Sequence, residues 1–310
     1  MLKFVLKRLL QAIPVLLILM TLTFVFMRAV PGGPFDSEKQ APEEVIAALN
    51  ARYNFDKPMH VQYYFFMRDL VTGDFINWPS FKYSNQTVLS MIAPQLPRTV
   101  ELAIYSMIYA LLIGITAGVI AALKKNTYLD YGPMSLAMVG VCVPSVLMGP
   151  LLALVFGVWL EVLPVAGWDS WAHKILPTIT LGSAIAAYVA RLSRGGMLEV
   201  LNQDYIRTAR AKGVPENKVI LRHSLKGGLL PVVNYTAPAM AGLLGGSFVT
   251  ETIFRVPGIG RFYVESVFNR DYTVIAGITV LFAFFYIGSN LIADVVTVLM
   301  NPRLKFGAKT

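Results

Sequence analysis

The chain has 310 residues, of which 55% are hydrophobic and 15% charged, and its formal net charge is +9. Soluble globular domains carry about 25% charged residues, so this composition argues against a soluble domain and indicates a membrane protein. The basic residues concentrate in the segments that connect apolar ones, as membrane topology requires, and no nucleic-acid partner is expected.

Six apolar segments are long enough to cross a bilayer, which takes ~20 helical residues. They lie near 9–30, 100–123, 133–160, 174–193, 231–250 and 274–300. Pro144 and Pro150 predict a kink or a short break in the third segment. The sequence therefore predicts an all-α polytopic membrane protein with six transmembrane helices.

The first hundred residues divide into two parts. Residues 1–30 are predicted to form a cytoplasmic start and a retained first transmembrane helix, because the apolar run is long for a signal peptide. Residues 31–99 follow as an outer segment with an amphipathic helix at 41–55, an aromatic stretch at 61–71 and a turn at Gly73. A segment of this size predicts a cap on the outer mouth.

Residues 100–310 are predicted to form the five-helix core. Placing both termini in the cytoplasm puts the most basic segments inside, including the loop 194–230, and leaves the segment 31–98 close to neutral. Within the core, Gly114–Gly118 and Gly242–Gly246 have the spacing that lets helix backbones pack closely in lipid.

The loop 194–230 is strongly polar and resembles two short helices around a break. Asp204 is predicted to cap the first helix, and Gly213 stands where a helix end favours positive φ. Pro215 suits the first turn of the second helix. The small residues near the break allow close approach by another protein, so this loop is predicted to contact a soluble partner.

The loop 251–273 is the second distinctive segment. It combines a turn-rich break at Pro257-Gly258 and Gly260 with an amphipathic, aromatic stretch. A partly re-entrant gate or a docking surface is one interpretation. A simple interfacial loop with aromatic anchors is the other.

Catalytic and metal-binding patterns are not found in the sequence. It lacks a G-x-x-x-x-G-K-[ST] phosphate loop, a G-x-S-x-G elbow and histidines at metal-ligand spacing, so we expect no enzyme and no metal site. Asn234, Asn290 and Asp294 are candidates for a polar pore lining. Glu101 and Arg191 are expected to be satisfied by snorkelling or by water near the interface, and the alternative is a polar lining of a solute path or an interhelical ion pair.

The stretch Asp204-Tyr205-Ile206-Arg207-Thr208-Ala209-Arg210-Ala211-Lys212-Gly213 resembles the EAA loop of binding-protein-dependent ABC-importer permeases, in the peptide and nickel branch. Ala209 and Gly213 match the general EAA pattern, whereas Arg207 and Thr208 replace its Glu and first Ala, as is usual for the peptide branch. Similar matches occur elsewhere, at Ile13-Pro14, Pro31-Gly32-Gly33-Pro34, Glu251-Thr252-Ile253-Phe254, Pro257-Gly258-Ile259-Gly260, Asn269-Arg270-Asp271-Tyr272 and Asn301-Pro302-Arg303.

The resemblance implies the type I ABC-importer permease fold, in a bacterial inner membrane, within a complex that imports peptides. Its partners would be a second, homologous permease, two cytoplasmic ABC ATPases, a periplasmic peptide-binding protein, the peptide and membrane lipid. ATP and magnesium would be bound by the ATPases, and this chain would bind no cofactor.

The resemblance also implies residue roles. The ATPase contact would fall on Asp204, Tyr205, Ile206, Arg207, Ala209, Lys212 and Gly213. The periplasmic gate or docking surface would comprise Glu251, Pro257, Gly258, Gly260 and Asp271.

The substrate class stays open at this level. The chain length and Ser80-Phe81-Lys82-Tyr83 are most similar to oligopeptide permeases of the B type, while dipeptide, murein-peptide and nickel permeases are alternatives. An ATP-independent secondary carrier is a further alternative, although it would need paired intramembrane charges or an inverted repeat.

Overall fold

A computed structural model describes residues 2–29, 44, 47, 50, 51, 53–83 and 85–300. These residues are almost entirely helical, and one isolated bridge joins Pro79 to Thr87. The helices are α1 (Leu2–Ala29), α2 (Met59–Thr72), α3 (Val88–Ile92), α4 (Leu96–Leu123), α5 (Tyr128–Cys142), α6 (Ser145–Leu152), α7 (Trp171–Leu201), α8 (Asp204–Ala211), α9 (Glu216–Lys218), α10 (Leu225–Gly228), α11 (Leu230–Gly246), α12 (Phe248–Phe254), α13 (Ile259–Asn269) and α14 (Tyr272–Met300). A 3₁₀ turn (Asp74–Asn77) follows α2, and π-helical turns extend α6 (Ala153–Trp159) and α9 (Val219–Ser224).

Four helices are long and apolar enough to cross a membrane. They are Leu6–Ala29 of α1, the whole of α4, the whole of α7, and Tyr272–Val296 of α14. A fifth candidate is the pair Tyr128–Cys142 and Ser145–Trp159, which is bent by 108°. The predicted segment 231–250 is divided between α11, which has only 17 residues, and α12. In the described residues, length and composition therefore support four or five spans, and the predicted count of six is not reached.

The bend between α5 and α6 has a local cause at Pro144. This residue has φ −57° and ψ 145°, and Val143 before it is also extended, at φ −92° and ψ 112°. Proline has no backbone N–H and disfavours helical geometry in the preceding residue. The predicted break at this position is confirmed.

The chain forms two compact units. The first comprises residues 1–97 and 261–284, and the second comprises residues 98–260 and 285–310. In the first unit, α2 packs against α1: Phe24 contacts the rings of Tyr63 and Phe66 at centroid distances of 5.4 Å. Gly73 ends α2 with φ +84°, so the predicted turn is confirmed. The start of the predicted helix at 41–55 lies outside the described residues.

In the second unit, α7 is the central helix and packs against α5, α6, α10, α11 and α12. It also crosses α4 closely. A Cβ added to Gly114 would collide with the Ala186 carbonyl oxygen, and one added to Gly118 would collide with that of Ala190. The predicted close packing at Gly114–Gly118 is therefore confirmed. At Gly242 the space around the Cβ position is open within this chain, so close packing there stays a prediction.

A bidentate ion pair joins α5 to α7. Arg194 donates from Nε and a terminal nitrogen to the two Asp130 carboxylate oxygens, at 2.6 and 2.7 Å. Asp130 also accepts the Asn126 N–H at 3.0 Å. The Asp130 side chain is 1% exposed and that of Arg194 is 30% exposed. Because a buried carboxylate is costly without donors, this pair fixes how α5 and α7 meet.

We expect Arg194→Met to lower the stability of the purified complex by about 3 kcal/mol, because Asp130 would keep a buried charge without its main donor. The double variant Asp130→Leu/Arg194→Met should recover much of this loss, since it removes both charges. Melting temperatures of the single and double variants measure the effect. A single variant as stable as the wild type would contradict the assignment.

Candidate functional site

The loop predicted to contact a partner begins at the end of α7. This helix continues to Leu201, eight residues beyond the predicted end of the fourth span. The helix α8 then covers Asp204–Ala211. The prediction that Asp204 caps it is wrong: the N-cap is Gln203, and Asp204 is the first helical residue. A carboxylate there remains favourable, because it faces the positive end of the helix.

The end of α8 has the hydrogen bonds of a Schellman motif. The Gly213 N–H donates to the Arg210 carbonyl at 2.9 Å, and the Val214 N–H donates to the Ala209 carbonyl at 3.2 Å. Gly213 has φ +74°, as predicted, and its Cβ position has no heavy atom within 4 Å. The motif therefore requires glycine for its backbone conformation and presents an open surface at that point.

A small apolar core holds this loop together. Ile206 and Val219 are fully buried and pack with Val200, while Ala209 and Val214 pack against them. Val214, the residue after Gly213, packs against this core, and an apolar contact at that position often accompanies a Schellman motif. The prediction that Ile206 contacts an ATPase is therefore wrong: the side chain lies inside the loop and supports it.

The outer surface of α8 is polar and exposed. Tyr205 is 47% exposed, and its hydroxyl donates to the His223 carbonyl at 3.4 Å. Arg207 lies 3.5 Å from Asp204, and both side chains are exposed. Lys212 is exposed, whereas Ala209 is only partly so. Of the predicted contact residues, Asp204, Tyr205, Arg207, Lys212 and Gly213 share the accessible surface.

The break between α8 and α9 is braced by Arg210 and Glu216. Arg210 donates to both Glu216 oxygens, at 2.7 and 3.1 Å. This hydrogen bonding lowers the pKa of Glu216 below its usual value. Both side chains are about half exposed, so the pair contributes little stability but orients the turn.

In the second predicted site, Glu251 is fully buried on α12. Its Oε1 accepts hydrogen bonds from the Thr99 and Ser247 hydroxyls, at 2.9 and 2.6 Å. Its Oε2 accepts the Gly260 N–H at 2.7 Å. Thr99 in turn accepts the Ile259 N–H at 2.9 Å. Glu251 therefore joins α4, α12 and the start of α13, and its side chain is not on a docking surface.

The two glycines of this segment are required by close approach. A Cβ on Gly258 would collide with the Glu251 carboxylate, and one on Gly260 would collide with the Phe248 backbone. Pro257 is exposed at the turn between α12 and α13. The predicted turn-rich break is confirmed, and its glycines belong to the Glu251 network.

Asp271 belongs to the first unit and is 1% exposed. Its carboxylate accepts the Ser80 hydroxyl at 2.5 Å and the Phe81 N–H at 3.2 Å. It also accepts the Thr273 hydroxyl at 2.9 Å and the Val274 N–H at 3.4 Å, which caps the start of α14. Asp271 therefore holds the 79–87 turn to this helix end.

The predicted pore-lining residues lie on two helices. Asn234 is exposed on α11, and Asn290 and Asp294 are partly buried on α14. The side-chain nitrogen of Asn290 donates to its own helix, at the Tyr286 carbonyl. Because Asn290 and Asp294 are four residues apart, they lie on one face of α14.

Sequence reasoning missed the partners of Glu101. Its Oε1 accepts Lys174 Nζ at 2.6 Å and the Tyr105 hydroxyl at 2.9 Å, while Oε2 accepts Trp168 Nε1 at 2.9 Å. The expectation that snorkelling or water satisfies this carboxylate is therefore wrong, and the alternative, an interhelical ion pair, is confirmed. Lys174 is 73 residues away in sequence, so no local pattern indicates the pair.

Two family descriptions match the chain. Residues 114–306 match the "Binding-protein-dependent transport system inner membrane component", and residues 1–103 match the N-terminal region of the same class of membrane component. Among solved structures, an inward-facing MetNI methionine ABC transporter is similar, with a TM-score of 0.58 at 15% identity. The match covers 68% of this chain and 96% of that one, and shows the fold.

Curated relatives match along the whole chain. The oligopeptide transport system permease protein OppB of Salmonella typhimurium strain LT2 is 45% identical, over 99% of this chain and 100% of that protein. The dipeptide permease DppB of Bacillus subtilis is 40% identical, with full coverage of both. The glutathione permease GsiC of Salmonella choleraesuis is 41% identical, over 99% and 100%. The chain therefore belongs to the family of inner-membrane components of binding-protein-dependent transport systems and has the ABC-importer permease fold.

Proposed function

We propose that this chain is a permease subunit of an ATP-driven importer that carries peptides into the cytoplasm, and its similarity to OppB favours oligopeptides as the substrate. The observation that carries the proposal is α8: a short, exposed helix on a polar loop, supported from behind by its own small core. Such an element transmits movement because it is rigid internally and accessible externally.

The partners follow from the family. A second, homologous permease would complete the pore, and two cytoplasmic ABC ATPases would each bind a coupling helix, here α8. A periplasmic binding protein would deliver the peptide. ATP and magnesium belong to the ATPases. In this arrangement ATP binding moves the coupling helices together and opens the pore outward, a two-state change biased by the nucleotide.

In the proposed orientation, which follows from the distribution of basic residues, both termini and the 194–230 loop are in the cytoplasm. The exposed side of α8 then faces the ATPase, with Tyr205 near the start of the helix and Gly213 just after its end. The segments 31–99 and 251–273 lie on the periplasmic side. There Glu251 and Asp271 act as internal braces of the gate region, while docking falls to exposed side chains such as Pro257 or Phe268.

Dipeptide import is the second candidate, and the full-length match to DppB favours it. The experiment that tests the function is purification of the tagged chain in mild detergent, followed by uptake of di-, tri- and pentapeptides in proteoliposomes. We expect co-purification of a second permease and ATPases, ATP-dependent uptake, and preference for the longer peptides. Uptake by the chain alone without ATP would overturn the proposal in favour of a secondary carrier.

Gly213→Leu should leave the complex assembled but uncouple ATP hydrolysis from uptake, because the added side chain projects from the surface that meets the ATPase. A left-handed conformation costs a non-glycine residue about 1–2 kcal/mol, so backbone strain needs its own control. Gly73→Leu supplies it: this glycine has φ +84°, and its Cβ position is equally open.

The measurement is the ratio of peptide transported to ATP hydrolysed in proteoliposomes. We expect it to fall at least tenfold for Gly213→Leu and to stay near the wild-type value for Gly73→Leu. A wild-type ratio in Gly213→Leu, or an equal fall in both variants, would refute the role of α8.

Glu251→Ala should reduce uptake strongly, because it leaves two hydroxyls and one N–H without their acceptor. Each unpaired buried donor costs about 1–3 kcal/mol. Thr252→Ala is the matched control, since this exposed neighbour donates only to its own helix at the Phe248 carbonyl. Peptide uptake and melting temperature are measured for both variants. Wild-type values for Glu251→Ala would contradict the structural role of the Glu251 carboxylate.

A further inference from the structure

A cavity of about 260 Å³ opens in the first unit beside the last turn of α1. Its volume is well above the ~30 Å³ that a water molecule occupies in the liquid. Aromatic rings form most of its wall, and the charged residues on it are Arg28 and Asp69. The rings include Phe24, Phe55, Phe65, Phe66, Trp78, Phe81 and Tyr272.

The Arg28 guanidinium is half-buried and stacked on these rings. Its central carbon lies 4.2 Å from the Phe55 ring centroid, 5.5 Å from that of Phe24 and 5.7 Å from that of Tyr272. Within the described part of the chain, no carboxylate lies within 4 Å of it. Stacking occupies the faces of a guanidinium and leaves its N–H edges available for a bidentate acceptor.

The other polar groups on the wall already have partners. Asp69 accepts two hydrogen bonds from Arg68 through one oxygen and one from Trp78 Nε1 through the other. The side-chain nitrogen of Gln62 donates to the Phe55 and Lys57 carbonyls. The cavity therefore offers one cation for which the described wall residues provide no anion.

The position of Arg28 along α1, relative to the bilayer, indicates which anion can reach its guanidinium. Arg8 and Arg28 are 20 residues apart on one continuous helix, which is ~30 Å along its axis. That distance equals the thickness of the hydrocarbon core, so Arg28 lies at the edge of the core in one leaflet, within side-chain reach of its phosphates, when Arg8 lies at the other edge. The apolar side chains Leu22, Val25 and Phe26, just before Arg28, are exposed on α1.

We propose that this cavity binds the phosphate of a phospholipid in the leaflet at the Ala29 end of α1. The guanidinium edge donates to the phosphate oxygens, and the aromatic wall excludes water from this contact, which strengthens it. The acyl chains lie along the exposed apolar surface of α1. The lipid thus anchors the first unit to its leaflet.

The test uses the purified, delipidated transporter complex and a short-chain phosphatidylglycerol as the probe. Binding is followed by the rise in melting temperature during titration. Arg28→Gln should raise the half-saturating concentration about tenfold or more, as expected for the loss of charge-assisted hydrogen bonds. Arg28→Lys should retain part of the affinity. Arg261→Gln is the matched control, because this exposed arginine pairs with Glu265 on α13.

Two further probes identify the group that is bound. Diacylglycerol with the same acyl chains should give no saturable shift, and inorganic phosphate should bind far more weakly than the phospholipid. If Arg28→Gln does not assemble, Phe55→Leu keeps the charge but removes the stacked ring, and it should weaken binding severalfold. Equal shifts with diacylglycerol, equal affinity for inorganic phosphate, or unchanged binding in the assembled variants would overturn the proposal.

Discussion

A carboxylate that is removed from water needs donors, and this requirement organises the molecule at four places. Asp130 is held by Arg194, Glu101 by Lys174, Glu251 by two hydroxyls and an N–H, and Asp271 by the 79–87 turn. All four join elements that are more than 60 residues apart in sequence within one unit. In a lipid environment apolar packing gives little preference for one helix partner over another, so such polar contacts, together with glycine crossings, determine which helices meet.

Local rules were sufficient for several turns and helix ends. The positive φ of Gly213, the break at Pro144 and the end of α2 at Gly73 each follow from a single residue and its immediate neighbours. Burial was harder to predict. Ile206 lies on a polar helix, and its burial depends on Val219, which returns to it only after the chain has turned. The same limit applies to Asp130 and Arg194, whose separate charges look like topology signals until the fold brings them together.

The two predicted sites, in the loops 194–230 and 251–273, therefore differ in how much of their structure could be predicted from the sequence. For α8 the sequence predicted a short helix in this loop, and the structure then separated the buried side chain, Ile206, from the accessible ones. In the 251–273 segment the motif identified residues that are important for a different reason. Glu251, Gly258 and Gly260 pack closely against one another inside the protein. This close packing is the reason why glycine is needed at positions 258 and 260.

The length of α7 places α8 at a particular height. The helix has 31 residues and therefore spans ~46 Å, whereas the hydrocarbon core is ~30 Å thick. If Lys174 lies at one edge of the hydrocarbon core, Arg194 lies near the other, and Leu201 extends ~10 Å beyond that edge. The polar headgroup layer adds ~5–7 Å on each side of the core, so α8 begins just outside the headgroups of this leaflet. The length of α7 therefore keeps α8 out of the headgroup layer and leaves its exposed side chains in contact with water.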